Sequence, residues 1–574
     1  MIFWSDLLIS LSFICAEINS YKAKTKSMKQ SLIFTILLLS FLANSQNFDQ
    51  ELVNKLDLQI EQYVEGISPG MAVGIVKDGE IVYQKYIGYS NLENQIEINE
   101  TTSFNIASNA KQFTALCVLR LIEQGKINLE DDFRKFLPDL YTNIEDKITI
   151  SNLLTHTSGI RDVYDLWALK GQTWWQLFID NSDAIELLQT QTDLNFKPGT
   201  KYLYSNSNYI LLTEIIENIT DKTFSEFSKA LFLELKMPNT SFLTNYMEVI
   251  PNKARPYGNW EGWKEYPVIT EVNGDGALFT TLNDQLNWEK RIQRVDDNIL
   301  SKKLINQSQS PIEKINFKNY GYGLMFGTYR GLDYSYHDGS TGAYNATFLR
   351  FPPQNISILV ISNNGNVPTN YLAKQLSDIT LNLETDNTIY PAVPVKIERL
   401  KDLGNIVGNY KNDDGKIIKI TEKDGSIFRE IYQRDPIKLI NEKNGLFHYE
   451  TNEELKMNFT NIKKGQQKLT IYLSSQEPNT YYKLPFNDLD KSDKRIINGR
   501  YFNDETDTEI LIKFLDNNTF LITKNGRERK AELILKDYLR MNSYEINIIR
   551  DAKGNVSGLN VKNGRIENVI FNKT

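Results

Sequence analysis

The chain has 574 residues, with 65 Lys and Arg against 72 Asp and Glu for a formal charge of −7. Its 41% hydrophobic and 24% charged content is ordinary for a globular protein and excludes wholesale disorder, while a mean hydropathy of −0.40 excludes a polytopic membrane protein. A pI near 5.5 without a basic run argues against nucleic acid as a partner, and three His and two Cys are too few soft ligands for a zinc site.

Two apolar runs precede residue 46. Met28-Lys29, with Lys22, Lys24 and Lys26 upstream, leads into the apolar stretch 32–43, and Ala43-Asn44-Ser45 places small residues at −3 and −1 of a cut after Ser45. That stretch is shorter than the ~20 residues that cross a bilayer. The pattern predicts an export segment over residues 1–45, cleaved after Ser45, and a periplasmic or secreted chain with no membrane span in its mature part. Residues 1–27 precede a second candidate start at Met28. The earlier run 7–16 keeps an N-terminal membrane anchor as the alternative. Export leaves Cys117 as the sole mature cysteine, so no internal disulfide can form.

A helix is expected over 48–64, then strands over 71–76 and 81–89 joined by the turn Lys77-Asp78-Gly79. The stretch 104–310 is mostly helical in period, punctuated by Ser158-Gly159, Pro198-Gly199 and Gly274-Asp275-Gly276. Strands return at 332–337, 346–351 and 356–361, followed by a helix near 371–383. Strands at both ends of a helical middle predict an α+β domain over 46–385, its antiparallel sheet assembled from the two ends and flanked by helices. The proline-bearing stretch 386–400 reads as a linker. Short alternating strands then run to the end and appear twice. Gly408-Asn409-Tyr410 recurs as Gly499-Arg500-Tyr501, and Lys464-Gly465 as Lys553-Gly554, at nearly the same offset. Two small all-β, barrel-like modules are expected, at 401–487 and 488–574.

Three constellations carry chemistry. In Ser108-Asn109-Ala110-Lys111, at the start of a predicted amphipathic helix, a hydroxyl and an ammonium three residues apart share a helical face. A desolvated lysine there can accept the serine proton. Ser at a helix start is also the ordinary N-cap residue. A Tyr-x-Asn that could supply a phenol and an amide occurs several times, at Tyr89, Tyr141, Tyr204, Tyr257 and Tyr410 among others, so context must choose. Tyr204-Ser205-Asn206 follows a Pro-Gly turn and precedes a helical run, a loop position suited to a catalytic group. Finally, His337-Asp338-Gly339-Ser340 ends a predicted strand, where Gly339 would admit a substrate close to the backbone.

Taken in order, Ser-x-x-Lys, Tyr-Ser-Asn and His-x-Gly resemble the serine β-lactamase and penicillin-binding-protein superfamily, in particular its class C-type, D-aminopeptidase and esterase branch. The resemblance covers about residues 50–385 and extends to the segments 104–114, 148–159 and 274–281. The terminal modules are similar to the accessory barrels of D-aminopeptidase-like relatives, the stretch 558–571 most closely. In such enzymes a barrel loop can reach the active site.

The resemblance implies a cofactor-free serine hydrolase. Ser108 would be the nucleophile and Lys111 with Tyr204 a coupled base and acid. Asn206 would hold the substrate amide or the lysine. The backbone N–H groups of Ser108 and Ser340 would form an oxyanion hole, with His337 and Gly339 on the substrate-binding strand. Where β-lactamases carry Lys-Thr-Gly, this chain has His337-Asp338-Gly339, which should bind a substrate carboxylate worse. The expected substrates are therefore small esters or short peptides, D-residues included. The alternatives are a DD-peptidase or weak β-lactamase acting on cell-wall peptides, and a non-catalytic peptide- or glycan-binding protein. Tyr164, Trp167, Trp174, Trp175, Trp260 and Trp263 are either packing or a substrate wall.

Overall fold

The computed structural model describes residue 48 and residues 50–574, apart from 267, 295–299, 313–319, 384–402, 414, 431–434, 443–445, 451, 462–465, 473–477 and 486–493. The expected export segment and the expected linker lie outside the described residues. So does Lys464-Gly465, one half of the sequence repeat.

The first strands are β1 (Met71–Lys77) and β2 (Glu80–Ile87). Their turn residues Asp78 and Gly79 both have positive φ, 52° and 74°, the backbone a tight two-residue hairpin requires. Five more strands come from the far end of the domain: β3 (Tyr320–Gly321), β4 (Leu324–Tyr329), β5 (Leu332–Thr341), β6 (Tyr344–Phe351) and β7 (Ile356–Ser362). The sheet order is β3-β4-β5-β6-β7-β1-β2. β1 lies antiparallel against β7, with Met71 opposite Ser362 and Val76 opposite Ser357, so the sheet is closed by its two termini as the pattern predicts. β1 and β7 are mostly apolar, in Met71–Val76 and Ile358–Ile361, because they are buried along nearly their whole length.

The helices that matter to the site are α1 (Lys111–Glu123), α2 (Val163–Leu169) and α3 (Asn206–Thr220). α1 departs from expectation. It is not amphipathic: every residue from Lys111 to Leu119 is buried, as is Leu121. A central helix of this kind is packed on all sides, so its sequence shows little facial contrast. Cys117 is buried within it and free.

Beyond the α+β body stand two closed eight-stranded barrels, spanning Gly408–Lys411 to Asn479–Lys483 and Gly499–Asn503 to Ile566–Lys573. The Gly-x-Tyr repeat has one structural job in both. Tyr410 donates its hydroxyl to Ile406 O at 2.8 Å, and Tyr501 to Ile497 O at 2.6 Å. The first barrel has its own apolar core. The core of the second is continuous with that of the α+β body.

Candidate active site

Ser108 lies in a 3₁₀ turn, Ala107–Ala110, that precedes α1. It is not an N-cap: the cap position is Ile106, and no side chain caps the turn. Ala107 before it has φ +48°, a left-handed conformation that costs about 1–3 kcal/mol for a residue with a Cβ. The Asn105 side chain holds that bend by accepting the Ala107 N–H at 2.8 Å. The bend leaves the serine half-exposed on the wall of a cavity of about 470 Å³.

One turn on, Lys111 is fully buried, and its Nζ donates to Ser108 Oγ at 3.1 Å, Asn206 Oδ1 at 2.9 Å and the Asp275 carbonyl at 2.6 Å. Burial pushes its pKa down to about 8, with the Arg565 cation adding to the effect and the Asp275 and Asp162 carboxylates opposing it. Tyr204 is also buried. Among the described residues its hydroxyl has no hydrogen-bond partner, and burial drives its pKa well up while the neighbouring Ser108 hydroxyl works the other way. The Lys111 ammonium sits 4.9 Å from the Tyr204 ring centre.

Asn206, the first residue of α3, is oriented by Asp162. That carboxylate accepts both the Asn206 N–H at 2.7 Å and its Nδ2 at 2.9 Å, so the amide oxygen is left to face Lys111. Of the Tyr-x-Asn sequences, the structure brings Tyr204-Ser205-Asn206 to Ser108. His156 backs the site: it is buried, tilted on the Tyr204 ring at 4.2 Å between centres, and accepts the Ser205 N–H at Nδ1.

His337 and Gly339 stand differently from their expected places. His337 is buried and does not line the cavity. Its Nδ1 donates to the Asp338 carbonyl at 2.7 Å, which leaves Nε2 to accept the Tyr320 hydroxyl at 3.1 Å. Burial and the nearby Lys111 push its pKa down to about 3, so the ring is neutral. Gly339 also meets a packing constraint. A Cβ there would lie 2.2 Å from the Ile106 carbonyl oxygen, so the glycine lets β5 press against the turn that carries Ser108. Ser340, next along the strand, does line the cavity. Of the aromatic residues, Tyr164 and Trp174 form part of the wall, whereas Trp167 is packing.

Three acidic residues escaped the sequence reading. Asp162 caps α2 and is buried; in sequence it shows only as an N-cap. Asp275, in the Gly-Asp-Gly segment, accepts the Tyr164 hydroxyl at 3.2 Å, and burial raises its pKa to about 6. Asp165 is raised to about 6 by burial and by Asp162. The fourth absentee comes from the second barrel. The hairpin between its last two strands enters the site, where Gly564 and Arg565 line the cavity with Ser108. The Arg565 guanidinium stands 4.7 Å over the Tyr204 ring and 3.5 Å from Asp162, and its backbone N–H donates to Asp165 at 2.7 Å. Gly564 has no room for a side chain, since a Cβ would meet Asp165 Oδ2 at 2.7 Å.

This is the geometry of a serine poised beside a desolvated lysine, with an unpartnered phenol at hand. Among the described residues, no group of three His, Cys, Asp or Glu could hold a metal ion, and no helix is long and apolar enough to cross a membrane. The chain is similar to Protein flp of Staphylococcus aureus (strain MRSA252), 29% identical over 377 residues that cover 62% of this chain and 72% of that one. It is also similar to a D-aminopeptidase of Gluconobacter oxydans (strain 621H), 28% identical over 304 residues, covering 51% and 56%. Among solved structures, the octameric penicillin-binding protein homologue from Pyrococcus abyssi shares the fold, with a TM-score of 0.55 and 24% identity over 75% of this chain and 99% of that one. The Beta-lactamase family model matches residues 56–378, more than half of the chain and the part that holds Ser108, Lys111 and Tyr204, and the protein belongs to that family.

Proposed function

We propose that the protein is an exported serine hydrolase that cleaves amide or ester bonds of small peptides, D-residues included, or of small esters, through a Ser108 acyl-enzyme. The observation that carries this reading is the fully buried Lys111 ammonium 3.1 Å from Ser108 Oγ, with its pKa lowered to about 8. Neutral Lys111 takes the Ser108 proton as Oγ bonds to the substrate carbonyl carbon. The phenol of Tyr204, too weak an acid to be ionised here, protonates the leaving group and is restored by a proton from Lys111. Water, deprotonated in turn by Lys111, then attacks the acyl ester, and Lys111 passes that proton to the departing Ser108 Oγ, which restores both groups. The N–H groups of Ser108 and Ser340 receive the oxyanion. The D-aminopeptidase relative supports an amide substrate. The neutral, buried His337 weighs against the carboxylate grip expected of a DD-peptidase or β-lactamase.

Intact-mass spectrometry of residues 46–574 after fluorophosphonate treatment tests the reading. One adduct on the wild type and none on Ser108→Ala is expected; a folded wild type that takes no adduct would refute it. The oxyanion hole has its own test in Gly339→Ala. The new methyl group must push β5 off the Ile106 carbonyl and so separate Ser340 from Ser108. A loss of about 100-fold in kcat on an activated ester is expected, with a stability change of only about 1–3 kcal/mol in a denaturant melt.

A further inference from the structure

We propose that the cavity beside Ser108 recognises a carboxylate carried by the substrate, and that Lys253 is the cation that binds it. The inference rests on the hydrolase reading and narrows its substrate class to small acids and short peptides with a free carboxylate. Lys253 lines the same cavity as Ser108, more than half buried, with its Nζ 5.0 Å from the Phe279 ring centre and 5.8 Å from that of Tyr246. Among the described residues it forms no ion pair and no hydrogen bond through its ammonium.

Its neighbours show that this is not the general state of the cavity's cations. Arg255 is held by Glu93 at 2.9 Å and Glu265 at 3.2 Å. Arg565 stands against Asp162, and Lys111 has its three acceptors. Among the described residues, Lys253 is the cavity-lining cation without a matched anion. Glu265 is close enough to favour its charge but does not pair with it. A half-desolvated ammonium is costly unless an anion compensates it. The aromatic faces beside it stabilise the cation only in part, and they make an apolar seat for the body of a molecule that carries the anion. His337, neutral and buried, offers no such charge. A volume of about 470 Å³ suits a ligand of roughly dipeptide size.

Two pairs of reactive esters test the proposal on the whole mature chain. One pair carries the anion on the leaving group, 3-carboxyphenyl acetate against 3-carbamoylphenyl acetate. The other carries it on the acyl group, 4-nitrophenyl hydrogen succinate against 4-nitrophenyl butyrate. The wild type should prefer the anionic member of at least one pair by about tenfold in kcat/KM, mainly through KM. Lys253→Met should reduce that ratio to about twofold or less, and Lys253→Arg should keep most of it. Equal turnover within both pairs by the wild type overturns the proposal, and so does an equal fall on both members in the methionine variant, which would mark Lys253 as packing. A wild type that hydrolyses none of the four and takes no fluorophosphonate overturns the hydrolase reading, and this inference with it; ester turnover without anion preference overturns this inference alone.

Discussion

Lys111→Met is expected to lower kcat/KM on an activated ester by about three orders of magnitude, within the range that a positioned general base supplies. Methionine fills nearly the same volume, so the loss is chemical before it is structural. All three acceptors of the ammonium, Ser108 Oγ, Asn206 Oδ1 and the Asp275 carbonyl, lose their donor, and thermal melting will show whether the fold survives that. The pH profile of the wild type, set beside that of Lys111→Met, separates the lysine from Asp165 and Asp275, whose pKa values are raised to about 6. Lys111 works when neutral, and its pKa is lowered to about 8. The wild-type kcat/KM should therefore rise with pH below about 8 and level off above it. Arg565 is among the causes of that low pKa, because its positive charge disfavours the ammonium. Arg565→Gln removes the opposition, so the lysine holds its proton more tightly and the limb should move to higher pH. A limb that persists unchanged in Lys111→Met would assign the base elsewhere. His337, at about 3, and Tyr204, well above its ordinary value, predict no limb of their own between pH 5 and 8.

The sequence showed this much of the site because four of its members fall into two local pairs. Ser108 and Lys111 sit one helical turn apart, and Tyr204 and Asn206 flank a single helix start. Such spacings survive in one dimension. The sheet was legible for a related reason: β1 and β7 are mostly apolar because both faces are covered, and that needs no knowledge of their pairing. The acidic half of the site was not legible. Asp162 looks like any helix cap until Asn206, 44 residues on, is seen to depend on it. Arg565 lies 403 residues from Asp162. Nothing in its Asn-Gly hairpin distinguishes it from another exposed turn, although the stretch 558–571 was the part of the barrels that most resembled relatives. The amphipathic reading of α1 failed because a helix enclosed on every side has no polar face to reveal it. Gly339 was read for a substrate alone, and the sequence did not show that its missing side chain also makes room for the Ile106 carbonyl.

The largest stability effect is expected at the seam between the body and the second barrel, in Glu505→Ala. Arg161, with 1% of its side chain exposed, pairs with Glu505 at 2.6 Å. The other Glu505 oxygen accepts the Thr192 N–H at 2.8 Å. Removing the carboxylate leaves a buried guanidinium with only neutral acceptors: Gln191 and the carbonyls of Glu567 and Asn568. Breaking a buried pair from one side costs about 3–5 kcal/mol. Glu509→Ala is the control, because its pairing with Arg500 joins side chains 47% and 65% exposed, and such pairs contribute about 0–1 kcal/mol. The consequence for catalysis follows from what the barrel grips. Arg565 meets Asp162 and Asp165 at the start of α2, while Lys524 donates to the carbonyls of Ala168 and Leu169 at its end, at 3.0 and 2.8 Å. Asp162 in turn fixes the Asn206 amide that faces Lys111. As the seam loosens on warming, ester turnover should therefore fail before the body unfolds, and it should fail at a lower temperature in Glu505→Ala than in the control. Activity that outlasts the release of the barrel, followed by limited proteolysis within 488–574, would show that the α+β body holds its own site together.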